Sequence, residues 1–152
     1  MMAETIIRKM EIADIEQVMK VEEASFDSPW TKEMFYQELS ENNHAHYLVL
    51  QMDKEVIGYV GLWIVLDDAQ VTNIAIMPDY RGKGLGKMLF QYTLHYVINL
   101  GVKRLSLEVR VSNIVAQRMY RRFGLVPGGI RKNYYKDNQE DALVMWVNLN
   151  ES

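Results

Sequence analysis

The sequence predicts a mixed α/β fold: one sheet that opens as an antiparallel meander and continues through a parallel strand–helix–strand crossover. Three observations carry that expectation. From residue 45 onward the apolar residues leave helical spacing for three strand-like runs, 47–52, 56–66 and 71–77. A stretch with glycine at alternate positions, Arg81-Gly82-Lys83-Gly84-Leu85-Gly86-Lys87, then separates the third run from an amphipathic helix. Finally, 152 residues that are 49% apolar and 24% charged suit a single core, so residues 1–152 read as one domain.

Ile6 to Met10 reads as a short first strand. Ile15, Val18, Met19 and Val21 follow at near-helical spacing, with Asp14 placed at that helix's first turn. Ser28-Pro29-Trp30-Thr31 predicts a second helix start, because proline suits a first turn; Met34, Phe35 and Leu39 supply the apolar side. Tyr47 to Met52 is a strand, Asp53 to Glu55 a turn, and Val56 to Leu66 a longer strand. Asp67-Asp68 turns the chain into a strand ending at Met77, and Pro78-Asp79-Tyr80 turns it again into the glycine stretch.

The helix after the glycines extends to about Asn99, with Leu89, Tyr92, Leu94, Tyr96, Val97 and Leu100 as core positions and Gly101 as its stop. Arg104 to Val109 is a strand, and Asn113 to Phe123 a helix with Asn113 at its N-cap and Gly124 closing it. Two last strands are expected near 129–135 and 142–149. The unit from residue 71 to 109 should be a right-handed crossover with parallel strands.

Composition excludes several function classes. A net charge of −3 gives no global sign of a nucleic-acid binder. Cysteine is absent, which rules out disulfides, thiolate metal sites and a cysteine nucleophile, and suits a reducing cytoplasm. Met1 to Lys9 has no apolar run long enough for a signal peptide, and the longest apolar stretch is broken by Gly58 and Gly61. A cytoplasmic protein without membrane or direct nucleic-acid contact is expected. His44 and His46 alternate along one strand face without an evident third ligand, so no metal is expected. The ten methionines read as core filling.

Three glycines at Gly82, Gly84 and Gly86 allow a turn that no side chain obstructs, so backbone N–H groups can converge at a helix N-terminus. With Arg81, Lys83 and Lys87 alongside, that is a phosphate site; an ordinary turn is the alternative. A P-loop requires Gly-x-x-x-x-Gly-Lys-Ser/Thr, but Met88 follows Gly86-Lys87 and Arg81 stands five before Gly86. A dinucleotide loop requires Gly-x-Gly-x-x-Gly after the first strand of a parallel sheet, and neither the spacing nor the preceding meander fits.

Arg-x-x-Gly-x-Gly between a strand and a helix resembles the acetyl-CoA pyrophosphate loop of the GNAT N-acetyltransferases, and the element order resembles that family's over nearly the whole chain. Leu107-Glu108-Val109-Arg110-Val111-Ser112-Asn113, with Ala116, Met119-Tyr120 and Phe123-Gly124-Leu125, is similar to the RimI-type subgroup. So are Arg131-Lys132-Asn133-Tyr134-Tyr135 with Glu140-Asp141-Ala142 and Met145, and Ser28-Pro29-Trp30-Thr31. RimI-type enzymes acetylate the N-terminal amine of a ribosomal protein. The resemblance therefore implies transfer from acetyl-CoA to the N-terminal amine, alanine by expectation, of a small-subunit ribosomal protein.

Amine acetylation from a thioester needs a neutral amine, a polarised carbonyl, stabilised charge on the tetrahedral intermediate, and a proton for the departing thiolate. An α-amine, with a pKa of about 8, needs less help than a lysine at about 10.4. Glu108 is the one carboxylate within its apolar strand and can accept a proton directly or through water; pairing with Arg110 or another cation is the alternative. Tyr120 shares a helix face with Asn113 and Ala116 and can donate a proton; a core aromatic is the alternative. The resemblance implies that Glu108 is the base, that Tyr120 is the acid and that Asn113, otherwise a simple cap, contacts CoA.

It also implies backbone contacts from Ile74, Ala75 and Ile76 to the pantetheine arm and acetyl carbonyl, with an amide as oxyanion donor, and pyrophosphate contacts from Gly82 to Lys87. Trp30, Tyr134 and Tyr135 line an acceptor groove or else pack. Arg118, Arg121 and Arg122 form a solvated helix face or assist the adenosine phosphate. Attack would be direct within a ternary complex, and the chain would act as a monomer or weak dimer. Two alternatives stay open: a GNAT acting on lysine side chains or a small amine, and a non-catalytic acyl-CoA-binding module.

Overall fold

The computed structural model describes residues 4–149, so Met1 to Ala3 of the N-terminal stretch lie outside it. Its strands are β1 (Thr5–Lys9), β2 (Ala45–Met52), β3 (Glu55–Val65), β4 (Asp68–Ile76), β5 (Arg104–Arg110), β6 (Val126–Arg131) and β7 (Ala142–Asn148). Its helices are α1 (Ile15–Ser25), α2 (Lys32–Glu41), α3 (Leu85–Asn99) and α4 (Ile114–Arg122). The strands form one seven-stranded mixed sheet, ordered β1-β2-β3-β4-β5-β7-β6. The described residues divide into two compact units. One holds the chain through Trp63 together with Thr72–Leu94; the other holds Ile64–Val71 and the chain from His95 on.

In the first unit β1 and β2 pair antiparallel, Thr5 opposite Met52, and β2 pairs antiparallel with β3, with a register shift at Leu50/Gln51. The core gathers Val18 and Val21 of α1, Phe35 of α2, Val49 of β2 and Tyr59 of β3, all fully buried. Phe35 stands edge-on to Tyr59 and Tyr47, 5.6 and 6.2 Å between centroids, a favoured aromatic arrangement. Asp14 does not cap α1 with its side chain. Its carboxylate instead accepts from both Arg8 guanidinium nitrogens, at 2.8 and 2.9 Å, and from Glu11 N.

The second helix begins later than its proline suggests. Thr31 is the N-cap, its Oγ1 accepting from Met34 N at 3.2 Å, so Pro29 lies before the helix and not in its first turn. Phe35 is buried as expected, whereas Met34 is 41% exposed.

Helix α3 ends at Asn99 with Gly101 at φ +86, as the sequence indicates. Its buried face corrects the expected one. Leu85, Leu89, Phe90, Thr93 and Val97 point inward, while Tyr92 and Leu100 are exposed. The inward set keeps the 3.6-residue stripe; Tyr92 falls at its edge, and Leu100 lies beyond the helix end at Asn99.

In the second unit β4 and β5 run parallel, Asp68–Gln70 against Arg104–Ser106, which fits the expected crossover. β5 also pairs antiparallel with β7 along its whole length, and β7 pairs with β6. β6 runs Val126–Arg131, starting and ending earlier than expected: Arg131 pairs with Ala142, the first residue of β7, and Asn133 beyond it takes a positive φ. Tyr134 and Tyr135 therefore lie in the connection to β7. Among the described residues no helix is long and apolar enough to cross a membrane, and no group of three or more His, Asp or Glu could hold a metal ion.

Candidate active site

The glycine stretch lies in the first unit, after a 3-10 turn at Pro78–Tyr80. Gly82 and Gly84 take φ of +77 and +79, a conformation that side chains resist, and a Cβ on either would meet open space. Leu85 opens α3 and Gly86 lies inside its first turn; Met88 N donates to Gly84 O at 3.0 Å, so the N–H groups of Leu85, Gly86 and Lys87 precede the first intrahelical bond. Lys83 and Lys87 are exposed, with Lys83 Nζ 5.6 Å from the Tyr80 ring centroid. Arg81 is committed to the fold here: its Nε donates to Ile76 O at 2.9 Å and its Nη2 to Ser25 Oγ at 3.1 Å. It thereby fixes the loop to the end of β4.

Ile74, Ala75 and Ile76 form the last part of β4, beyond the stretch paired with β5, and Ala75 and Ile76 are buried. The neighbouring backbone needs Gly58 there. A Cβ at Gly58 would stand 2.6 Å from Ile76 Cδ1 and 3.0 Å from Ala75 O, so glycine lets β3 approach this segment.

In the second unit, β5 alternates strictly: Leu105, Leu107 and Val109 are buried, while Ser106, Glu108 and Arg110 share the opposite, half-buried face. Glu108 is not paired with Arg110. Its carboxylate accepts from Tyr134 OH at 3.1 Å and from Gln70 Nε2 at 3.1 and 3.4 Å, both neutral donors. Arg110 turns to Asp137 and Glu140 instead. Burial and the adjoining Glu108 carboxylate raise the Tyr134 hydroxyl above the usual phenol range. Tyr135, packed edge-on to Tyr134 at 5.1 Å, is pushed up to about 12, chiefly by burial.

Tyr120 is 5% exposed on α4, and burial, with Tyr135 adding to it, holds its hydroxyl well above the ordinary phenol value. Such a group stays protonated at neutral pH and can donate. Asn113 caps α4, its Oδ1 accepting from Ala116 N at 3.1 Å. Arg118, Arg121 and Arg122 are exposed.

Trp30 belongs to the first unit, half-buried against the core, its ring 5.3 Å from Phe35 and its backbone N–H donated to Glu22 Oε2 at 2.8 Å. His44 precedes β2 and so does not alternate with His46 on it.

Three hydrogen-bonded polar residues escape sequence reading. Gln70 reaches Glu108 only through the parallel register of β4 on β5, which no local pattern encodes. Arg110 is legible as a cation but its partners lie 27–30 residues on. Glu22, 2% exposed, accepts from Trp30 N and from the Tyr59 hydroxyl, and burial raises its carboxyl above the ordinary value. Its place among the apolar residues of α1 was the available signal.

Residues 15–125 match the family model described as the acetyltransferase (GNAT) family. The chain is 56% identical over 151 residues to a Bacillus subtilis (strain 168) protein named putative [ribosomal protein bS18]-alanine N-acetyltransferase, covering 99% of this chain and all of that one. It is 33% identical over 143 residues to the [ribosomal protein bS18]-alanine N-acetyltransferase of Escherichia coli (strain K12), covering 91% and 94% of the two chains. The crystal structure of the ribosomal-protein-S18-alanine N-acetyltransferase from Escherichia coli superposes with a TM-score of 0.90 at 29% identity, over 98% of this chain and 96% of that one.

Proposed function

The chain belongs to the acetyltransferase (GNAT) family, and from that premise we propose that it is an acetyl-CoA-dependent N-terminal acetyltransferase of the RimI type, acting on the alanine α-amine of ribosomal protein bS18. The observation that carries this reading is the end-to-end 56% identity to a relative named for that reaction. The whole chain then works as one catalytic domain, as a cytoplasmic monomer or weak dimer.

The residues present suit acetyl-CoA. Gly82 and Gly84, open where a Cβ would stand, leave bare backbone beside the start of the 15-residue helix α3, the surroundings that a pyrophosphate requires. Residues 81–87 would hold it, with Arg81 acting by fixing the loop and Lys83 and Lys87 by charge. Asn113 would add a contact. Ile74, Ala75 and Ile76 would offer backbone N–H groups to the arm and to the acetyl oxygen. Acetyl-CoA is the substrate that supplies the thioester acetyl group.

Glu108 accepts the proton that the attacking amine must lose, and Tyr134 and Gln70 orient its carboxylate. Tyr120 supplies the proton that the departing sulfur takes up. With no cysteine in the chain, the acetyl group passes directly to the amine.

The test is thiol release from acetyl-CoA with three acceptors: the bS18 N-terminal peptide, the same peptide with its α-amine blocked and a lysine free, and a polyamine. Transfer to the first alone is expected. Preference for either of the others would replace this reading with a side-chain or small-amine acetyltransferase, and CoA binding without any transfer would leave a binding module.

A further inference from the structure

One densely bonded cluster in the second unit has no part in the proton transfers above. Arg110 stands two residues after Glu108, so both side chains share a face of β5. Its guanidinium donates to Asp137 Oδ2 at 2.8 Å, Glu140 Oε1 at 3.0 Å and Asn138 Oδ1 at 3.2 Å, and lies 4.0 Å from the Tyr135 ring centroid. All four partners come from the connection between β6 and β7.

That connection is also tied to itself and to its surroundings. Tyr135 N donates to Glu140 O, Gln139 N to Tyr135 O, and Asn133 N to Asp141 Oδ1. The second Glu140 oxygen accepts Ser112 N at 2.9 Å, just before α4. Asn133 and Gln139 take positive φ, 54 and 61, so the shape is not one the backbone favours unaided. A planar fork that engages three oxygen acceptors at once, with its flat face on a ring, is what arginine provides and lysine does not. The side chain that this fastened segment delivers to Glu108 is Tyr134, at 3.1 Å.

We propose that Arg110 is a positioning residue for the acetyl transfer: it fastens the β6–β7 connection so that the Tyr134 hydroxyl stays on Glu108 while the acceptor amine is received. Arg110 touches no reacting atom and acts through Tyr134. This rests on the reading of Glu108 as the proton acceptor. A set of merely stabilising surface ion pairs would show no coupling to Tyr134 in turnover.

A double-mutant cycle in kcat/KM for an alanine-initiated bS18 peptide decides it, using Arg110→Gln, Tyr134→Phe and the pair. Each single substitution is expected to lower kcat/KM about tenfold and the pair no further than the larger single loss, because both remove one coupled unit. KM for acetyl-CoA stays unchanged in Arg110→Gln, and Arg110→Lys recovers only part of the loss. An unchanged kcat/KM in Arg110→Gln overturns the proposal. So do losses that multiply in the pair to about a hundredfold. If Arg110→Gln does not fold, Asp137→Asn, which loosens one arm from the other side, enters the same cycle with the same opposing outcomes. Glu108→Gln run alongside separates the two ideas: full turnover there removes the proton acceptor, while the cycle alone judges the clamp.

Discussion

Glu108 meets two neutral donors and no guanidinium, and that difference decides what the carboxylate can do. The amide of Gln70 and the phenol of Tyr134 fix which way its oxygens face without placing a cation beside them. Glu108→Gln keeps the shape and, on the proposed mechanism, removes the proton acceptor. Steady-state kinetics should show kcat lower by about 10²-fold, the small end for general bases because an α-amine is partly neutral already. Acetyl-CoA affinity by calorimetry should not change; undiminished turnover across the neutral range would take Glu108 out of the chemistry.

The other telling carboxylate is Glu22. Burial raises its folded-state pKa above 4.5, so its contribution to stability is fully present below that value and is lost as pH rises through the raised one. Glu22→Gln, which can still accept from Trp30 N–H and meet the Tyr59 hydroxyl, should therefore match or exceed the parent's Tm at neutral pH and fall behind as pH drops toward 4.5. Glu22→Ala, by contrast, strands two buried donors at about 1–3 kcal/mol each and should melt lower at every pH. Thermal scans of the three proteins distinguish these outcomes.

At the scale of elements, the loop before α3 depends on backbone that only glycine adopts freely. Gly84→Ala forces a Cβ onto φ +79, at about 1 kcal/mol, although space is open around it. The loop should relax away from that shape, and acetyl-CoA affinity should fall several-fold while global Tm changes little. An unaltered affinity would mean that the loop does not hold the pyrophosphate.

This loop and its flanking strand and helix were readable in the sequence because glycine, strand alternation and helical spacing are all local. The same locality explains the misjudged details. Pro29 resembles a first-turn residue, yet Thr31 has the hydroxyl that reaches Met34 N. Tyr92 is apolar at a plausible spacing but lies at the edge of the stripe that α3 buries, and Leu100 has the spacing but follows the helix end at Asn99. The contact of Tyr134 with Glu108 could not be read at all, since it depends on β7 running beside β5 and on a connection fastened by Arg110.

For the molecule as a whole, acid sensitivity follows from two fixed carboxylates. Hydrogen bonds from Ser112, helped by Arg110, hold Glu140 down from 4.5 to about 2, and Arg8 holds Asp14 below its ordinary value. Depressed carboxylates contribute stability above their unfolded pKa and lose it as pH falls through the folded one. Stability to urea should thus decline between pH 4.5 and about 2, and Glu140→Gln should flatten part of that decline. A slope unchanged in Glu140→Gln would dissociate Glu140 from acid unfolding.

The mixed sheet, the glycine loop and the β5 carboxylate converge on one activity, moving an acetyl group to a protein's first amine. The most direct test compares the intact mass and N-terminal peptide of bS18 from cells with and without this chain. The account predicts an α-acetylated alanine in the first and a free alanine amine in the second, with the mark restored by the parent chain and restored more slowly by Glu108→Gln. A bS18 N-terminus equally acetylated in both, or acetyl lost only from lysines, would contradict it.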